Sequence, residues 1–143
     1  MFVGISRRTN AAAVDQLCRL LEPYEYEVIP VSVLAALHLK SACSFVGSNT
    51  LLANAGWVDL RPFDGMTVLP VEESEAWGAS VLYVDGHVVI PSGFPLTAHT
   101  LLAHGLSVDV IDLGELRKAE GGPTCLSILL PRPTRDGDTA GAV

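Results

Sequence analysis

The stretch from Ser80 to Ile111 constrains this chain most. Ser80-Val81-Leu82-Tyr83-Val84 and His87-Val88-Val89-Ile90 flank Asp85-Gly86. Two β-rich runs around a pair suited to positive φ spell a two-residue type I′ hairpin. Pro91-Ser92-Gly93 then turns the chain into a predicted helix, Leu96 to His104, stopped by Gly105 where a left-handed residue is favoured. Val108 to Ile111 reads as a strand. Hairpin, helix and strand together make a ββαβ unit. An incomplete version, strand–helix–strand, runs from Phe2 to Val31. Thr9 and Asn10 offer N-caps for Ala11 to Leu21, where Val14, Leu17, Leu20 and Leu21 recur at helical spacing. Pro23 closes that helix, and Tyr26 to Val31 follows as a strand. The predicted class is α/β, built of repeated ββαβ units. Because the repeat starts mid-unit, a further part upstream is expected.

The remaining segments are shorter. Leu37 to Lys40 and Ser44 to Gly47 read as strand pieces, with Gly47-Ser48-Asn49 as a turn and Leu51 to Ala53 returning. Met66 to Val71 is a strand between Asp64-Gly65 and the acidic pair Glu72-Glu73. Leu113 to Ala119 is a short helix ending at Gly121-Gly122, and Thr124 to Leu130 a last, buried strand. Residues 131–143 are rich in Pro, Arg, Asp, Gly and Thr without a core period, and are expected to be a disordered tail behind a domain spanning residues 1–130.

A chain of 143 residues, 49% of them hydrophobic, can bury a real core. No apolar run reaches the length of a membrane span. Arg7 and Arg8 follow the apolar start instead of preceding it, the wrong order for a secretory leader, so a cytoplasmic location is expected. Cys18, Cys43 and Cys125 are odd in number and widely spaced, which gives neither a disulfide framework nor a zinc pattern. The formal net charge of −7 argues against a nucleic-acid partner and suits a cationic small molecule, although surplus surface carboxylates also serve solubility.

Chemistry points to Cys125, in Gly121-Gly122-Pro123-Thr124-Cys125-Leu126-Ser127. Two glycines permit positive φ and close approach of another group, which is how a side chain is presented to a pocket. The bland reading, a small buried hydrophobe in a strand, stands beside it. A nucleophilic thiol needs a neighbouring imidazole or cation, since only a few per cent of an ordinary cysteine is thiolate at neutral pH. Of the four histidines, His87 follows a hairpin turn, while His99 and His104 lie on or at the end of a helix. His38 lies in Leu37-His38-Leu39-Lys40-Ser41, on the strand face opposite Leu37 and Leu39 by alternation. The acidic cluster Asp64, Glu72, Glu73 and Glu75 reads as a solvated face.

Three segments carry a family resemblance. Phe2-Val3-Gly4-Ile5-Ser6-Arg7-Arg8-Thr9-Asn10 resembles the FVGLSxRTN segment of dimethylarginine dimethylaminohydrolases, Leu37 to Ser41 their HLKS segment, and Gly121 to Ser127 their GGxTCxS segment. They occur in family order over residues 1–130. The resemblance implies the C-terminal portion of a pentein fold, an α/β propeller of five ββαβ units with the active site at its centre, of which this chain holds about half. It implies Cys125 as nucleophile, His38 as general acid and base, Arg8 as the partner of a substrate carboxylate, and Glu120 near the substrate's amino-acid end, with Glu where Asp is more usual. Ser80 stands where the family often has Asn. The implied reaction converts N-ω-methylated arginines, or a related guanidine, to citrulline and methylamines without metal or cofactor. The carboxylates that grip the guanidinium lie upstream of FVGLSxRTN in the family and find no match here. The alternative is a catalytically inactive truncated form that acts as a binding module or as one half of a split hetero-oligomeric enzyme; a homo-oligomer or pairing with a missing N-terminal half is the expected association.

Overall fold

The computed structural model describes residues 1–130; the expected tail lies outside the described residues. Among the described residues, eight strands form three small sheets. The first holds β1 (Phe2–Ile5) and β2 (Ile29–Ser32), parallel and joined by helix α1 (Ala11–Leu21). The second has the order β3 (Cys43–Phe45), β4 (Thr50–Ala53), β5 (Thr67–Pro70), and the third the order β6 (Leu82–Val84), β7 (His87–Pro91), β8 (Ser107–Ile111). In both, the hairpin pair is antiparallel and the returning strand parallel. The expected hairpin turn is present, with Asp85 at φ 52° and Gly86 at φ 85°. Helix α3 (Pro95–Ala103) crosses from β7 to β8.

The second sheet is a unit that the sequence pattern did not disclose. Its crossover is no amphipathic helix but a loop with one 3₁₀ turn, Arg61–Phe63, so no 3.6-residue period marks it. The sheet is central to the packing. Strand β4 is buried along its whole length, and its alternating side chains serve two cores. Leu52 joins Val46, Val81, Val88, Ile90 and Leu101 against the third sheet. Leu51 and Ala53 join Val31, Ala42, Val58 and Phe63 against the first. Ser44 ties the second and third units together: its Oγ donates to Ala79 O at 2.7 Å and accepts from Val81 N at 3.2 Å.

Several expectations fail for identifiable reasons. Leu37–Lys40 is not a strand; His38 is the N-cap of a short helix, α2 (Leu39–Ala42). Leu20 is 69% exposed despite its helical spacing, because only Val14 of α1 is buried. Asn10, not Thr9, caps α1 by accepting from Ala13 N at 3.0 Å. Thr124–Leu130 is no buried strand: Cys125 sits in an exposed turn, and Leu126–Leu130 runs on without regular structure, with Ile128 88% and Leu130 82% exposed. An apolar run becomes a buried strand only where a sheet edge receives it, and none does among the described residues. Glu75, expected on a solvated face, is buried.

Candidate active site

The site is assembled from loops at the ends of the sheets, each held by a specific contact. The His38 segment is fixed against β1. Ser6 Oγ donates to Leu37 O at 2.8 Å. A Cβ on Gly4 would meet Leu39 Cβ at 2.9 Å, so only glycine lets β1 and α2 approach this closely.

The Cys125 loop is fixed against β6. Helix α4 (Gly114–Arg117) ends in a Schellman arrangement, in which Gly121 N donates to Leu116 O and Glu120 N to Arg117 O. The left-handed position falls on Glu120, φ 59°. Gly121 and Gly122 permit positive φ, and neither adopts it. Gly122 serves instead by its missing side chain, since a Cβ there would lie 2.2 Å from Ser80 Oγ. Thr124 Oγ1 then donates to Val81 O at 3.0 Å. The same Val81 donates its N–H to the Ser44 anchor, so the loop is moored to the junction of two units. Cys125 Sγ accepts from Gly122 N at 3.1 Å and donates to Gly122 O at 3.2 Å.

These anchors bring His38 and Cys125 to one cavity of about 570 Å³, whose wall also includes Ser6, Lys40, Ser80 and Glu120. Glu120 is the single carboxylate among the described lining residues. Arg8 is exposed and is not part of this wall, although its neighbours Ser6 and Thr9 are. Ser80 and Gly122 also line an adjoining cavity of about 360 Å³, so the two spaces share a thin partition. The polar lining groups Ser6, Ser41, Thr9 and Thr124 had no signal of their own in the sequence, apart from lying inside the three resembling segments.

The three thiols are separated by environment. Cys43 lies in the core, where burial pushes it up to about 12, so it stays protonated and inert. Cys18 is half-buried on α1. Cys125 is exposed and faces the cavity that His38 shares. An accessible thiol with an imidazole on the same wall can attack an electrophilic carbon and exchange protons with a leaving group and with water.

No family model matches the chain. Over 131 residues it is 37% identical to an N(G),N(G)-dimethylarginine dimethylaminohydrolase of Streptomyces coelicolor, covering 91% of this chain and 50% of the relative. Over 127 residues it is 31% identical to the enzyme of the same description from Pseudomonas aeruginosa, covering 89% of this chain and 50% of that one. A crystal structure of a dimethylarginine dimethylaminohydrolase, as an adduct with S-methyl-L-thiocitrulline, superposes with a TM-score of 0.81 at 30% identity, over 87% of this chain and 49% of the other. Over about nine-tenths of its length the chain is similar to dimethylarginine dimethylaminohydrolases. It shares, in part, the pentein-type α/β architecture of those structures. The chain spans about half the length of the curated dimethylarginine dimethylaminohydrolases it matches.

Among the described residues, no helix is long and apolar enough to cross a membrane.

Proposed function

We propose that this chain carries the nucleophile and the acid–base half of an active site that hydrolyses N-ω-methylated arginines to citrulline and methylamines. The supporting observation is that Cys125 and His38, separated by most of the polypeptide, line one cavity. The Cys125 thiolate attacks the guanidinium carbon, forming a C–S bond. The C–N bond to dimethylamine breaks, and His38 supplies the proton that the amine carries away. A covalent thiouronium remains. Water, giving its proton to His38, adds to the same carbon; the C–S bond breaks and citrulline leaves. Glu120 takes the substrate's ammonium end. Arg8 takes its carboxylate through a bidentate guanidinium, a role that requires the exposed side chain to swing onto the cavity rim. A cytoplasmic setting fits three free thiols.

One observation favours a second reading of the chain taken alone, as a site that binds without turning over. A guanidinium cation needs carboxylates, and the described cavity wall offers only Glu120. Citrulline release by the isolated chain should therefore be small.

The test uses S-methyl-L-thiocitrulline, with the chain alone and co-expressed with the unmatched half of the Streptomyces coelicolor relative. Its methylthio group leaves without an acid, so the first step survives loss of His38 while water attack does not. Intact-mass analysis should find an adduct on Cys125 that accumulates in His38→Ala and is absent from Cys125→Ser. An adduct distributed equally over Cys18, or none in either preparation, would overturn the assignment.

A further inference from the structure

The turn that carries Glu120 and Cys125 hangs between two supports. The downstream one is the Thr124 bond to Val81. The upstream one is α4, a weak support by itself. Four residues do not sustain a helix alone. The helix buries no residue, and its one large apolar side chain, Leu116, is 49% exposed. Arg117 alone of the four is not exposed. Its guanidinium lies over the Phe94 ring, 4.3 Å from the centroid, and its Nη1 donates to Ser92 O at 3.0 Å. Both receivers are fixed. Phe94 belongs to the core of the third unit. Ser92 N donates to Ile111 O at 2.7 Å, which ties the chain just after β7 to the end of β8. Among the described residues Arg117 makes no ion pair, whereas the adjacent Lys118 pairs with Glu115 at 2.8 Å. The guanidinium therefore acts through its face and its edge. A planar group that stacks on a ring and donates sideways fixes both distance and orientation, which a lysine ammonium does not.

The same residue leads directly into the turn. Arg117 O accepts from Glu120 N at 2.9 Å, the bond that closes the helix end and sets the Glu120 backbone. Arg117, Phe94 and Glu120 line the smaller cavity, and Glu120 and Gly122 continue into the wall of the larger one, where Cys125 and His38 lie. From this chain of contacts we propose that Arg117 is a positioning residue. By clasping Phe94 and Ser92 it holds α4 on the third unit, and through α4 it holds Glu120 and the Gly122–Cys125 turn on the wall that faces His38. It does not line the larger cavity itself, so it sets where the thiol sits and takes no part in bond making. The catalytic meaning of that placement rests on the hydrolase reading; the clasp does not.

The experiment measures the clasp and its chemical consequence separately. In Arg117→Ala of the full chain, hydrogen exchange at Gly121 and Gly122 should quicken about tenfold, the change expected when a stack and a charge-assisted hydrogen bond are lost together. Exchange at Val88 and Ile90 in the core should stay within about twofold of the parent, because the loosening is local. Arg117→Lys keeps the charge without the planar face and should not restore slow exchange. Phe94→Leu removes the ring, and added to Arg117→Ala it should quicken Gly121 and Gly122 no further. Equal quickening at Val88 and Ile90 would reduce Arg117 to a general stabiliser. Unchanged exchange at Gly121 and Gly122, or full restoration by Arg117→Lys, would remove the clasp. For the chemistry, the co-expressed preparation with S-methyl-L-thiocitrulline should form the Cys125 adduct about tenfold more slowly in Arg117→Ala, while iodoacetamide, which needs only an accessible thiol, alkylates Cys125 no more slowly than in the parent. An adduct formed at the parent's rate despite a loosened turn would overturn the positioning role. If the parent itself forms no adduct, the hydrolase reading fails, and the clasp stands or falls on the exchange result.

Discussion

Cys43 and Cys125 show how position within one fold sets the chemistry of the same side chain. Cys43 is desolvated among the core of the first two units and pushed up to about 12, so it carries almost no thiolate at neutral pH. Cys125 is exposed on a cavity wall. Iodoacetamide at pH 7.5 should alkylate Cys125 at least about tenfold faster than Cys43, because reaction follows thiolate fraction and access; peptide mapping of a time course checks this. Glu120 presents a trade-off at the same scale. Its left-handed backbone, φ 59°, is where a helix end ordinarily places glycine, and a side chain there costs about 1 kcal/mol. Glu120→Gly is expected to raise stability in a urea titration by about that amount. In the complemented enzyme the same change should raise KM, since the proposed ammonium contact is lost. If KM is unmoved, Glu120 has no role at the substrate's amino end.

At the scale of elements, α3 is held from a distance. Its first turn would leave backbone N–H groups unpaired. Glu75 accepts from Leu96 N at 2.9 Å, and from Thr97 N and Thr97 Oγ1 at 2.7 Å each. Burial raises this carboxyl, and the three hydrogen bonds outweigh that and leave it below its ordinary value. A folded value below the unfolded one means stability that is present above the ordinary glutamate range and is lost as pH falls through the lowered folded value. Glu75→Gln should cost about 2 kcal/mol near pH 7, as expected for charge-assisted bonds to a buried helix end. It should also flatten the fall in stability below pH 4.5. Denaturant titrations of both proteins from pH 3 to 7 test the sign, and a parallel offset at every pH would contradict it. The local pattern gave no hint of this role. Glu75 lies in an acidic stretch that reads as surface, and its partners are 21 and 22 residues further along in sequence.

For the whole molecule, stability is concentrated where units meet. Leu52 is fully buried between the second and third sheets, and Leu52→Ala should cost about 3 kcal/mol by lost transfer energy and a residual cavity. Ser44→Ala leaves Ala79 O and Val81 N without their partner, a loss of about 1–3 kcal/mol. Because Val81 also receives Thr124, that variant should loosen the Cys125 loop as well, seen as faster hydrogen exchange at Gly122–Cys125. Unchanged exchange there would separate the unit junction from the loop.

What could be read from residues alone was whatever is encoded by neighbours along the chain. The I′ hairpin at Asp85-Gly86, the capped helix after Asn10 and the α3–β8 return are each specified within a few residues, by turn geometry, capping and period. The pairing of His38 with Cys125 came through resemblance, since periodicity carries no information about which distant loops meet. Tertiary structure decided the rest. It turned Leu51–Ala53 into the strand that serves two cores, put Glu75 under α3, and placed the left-handed residue at Glu120 and not at the glycines that permit it. It also left Leu126–Leu130 exposed. An apolar run encodes only a tendency to be covered, and burial depends on which surface is within reach when the chain folds.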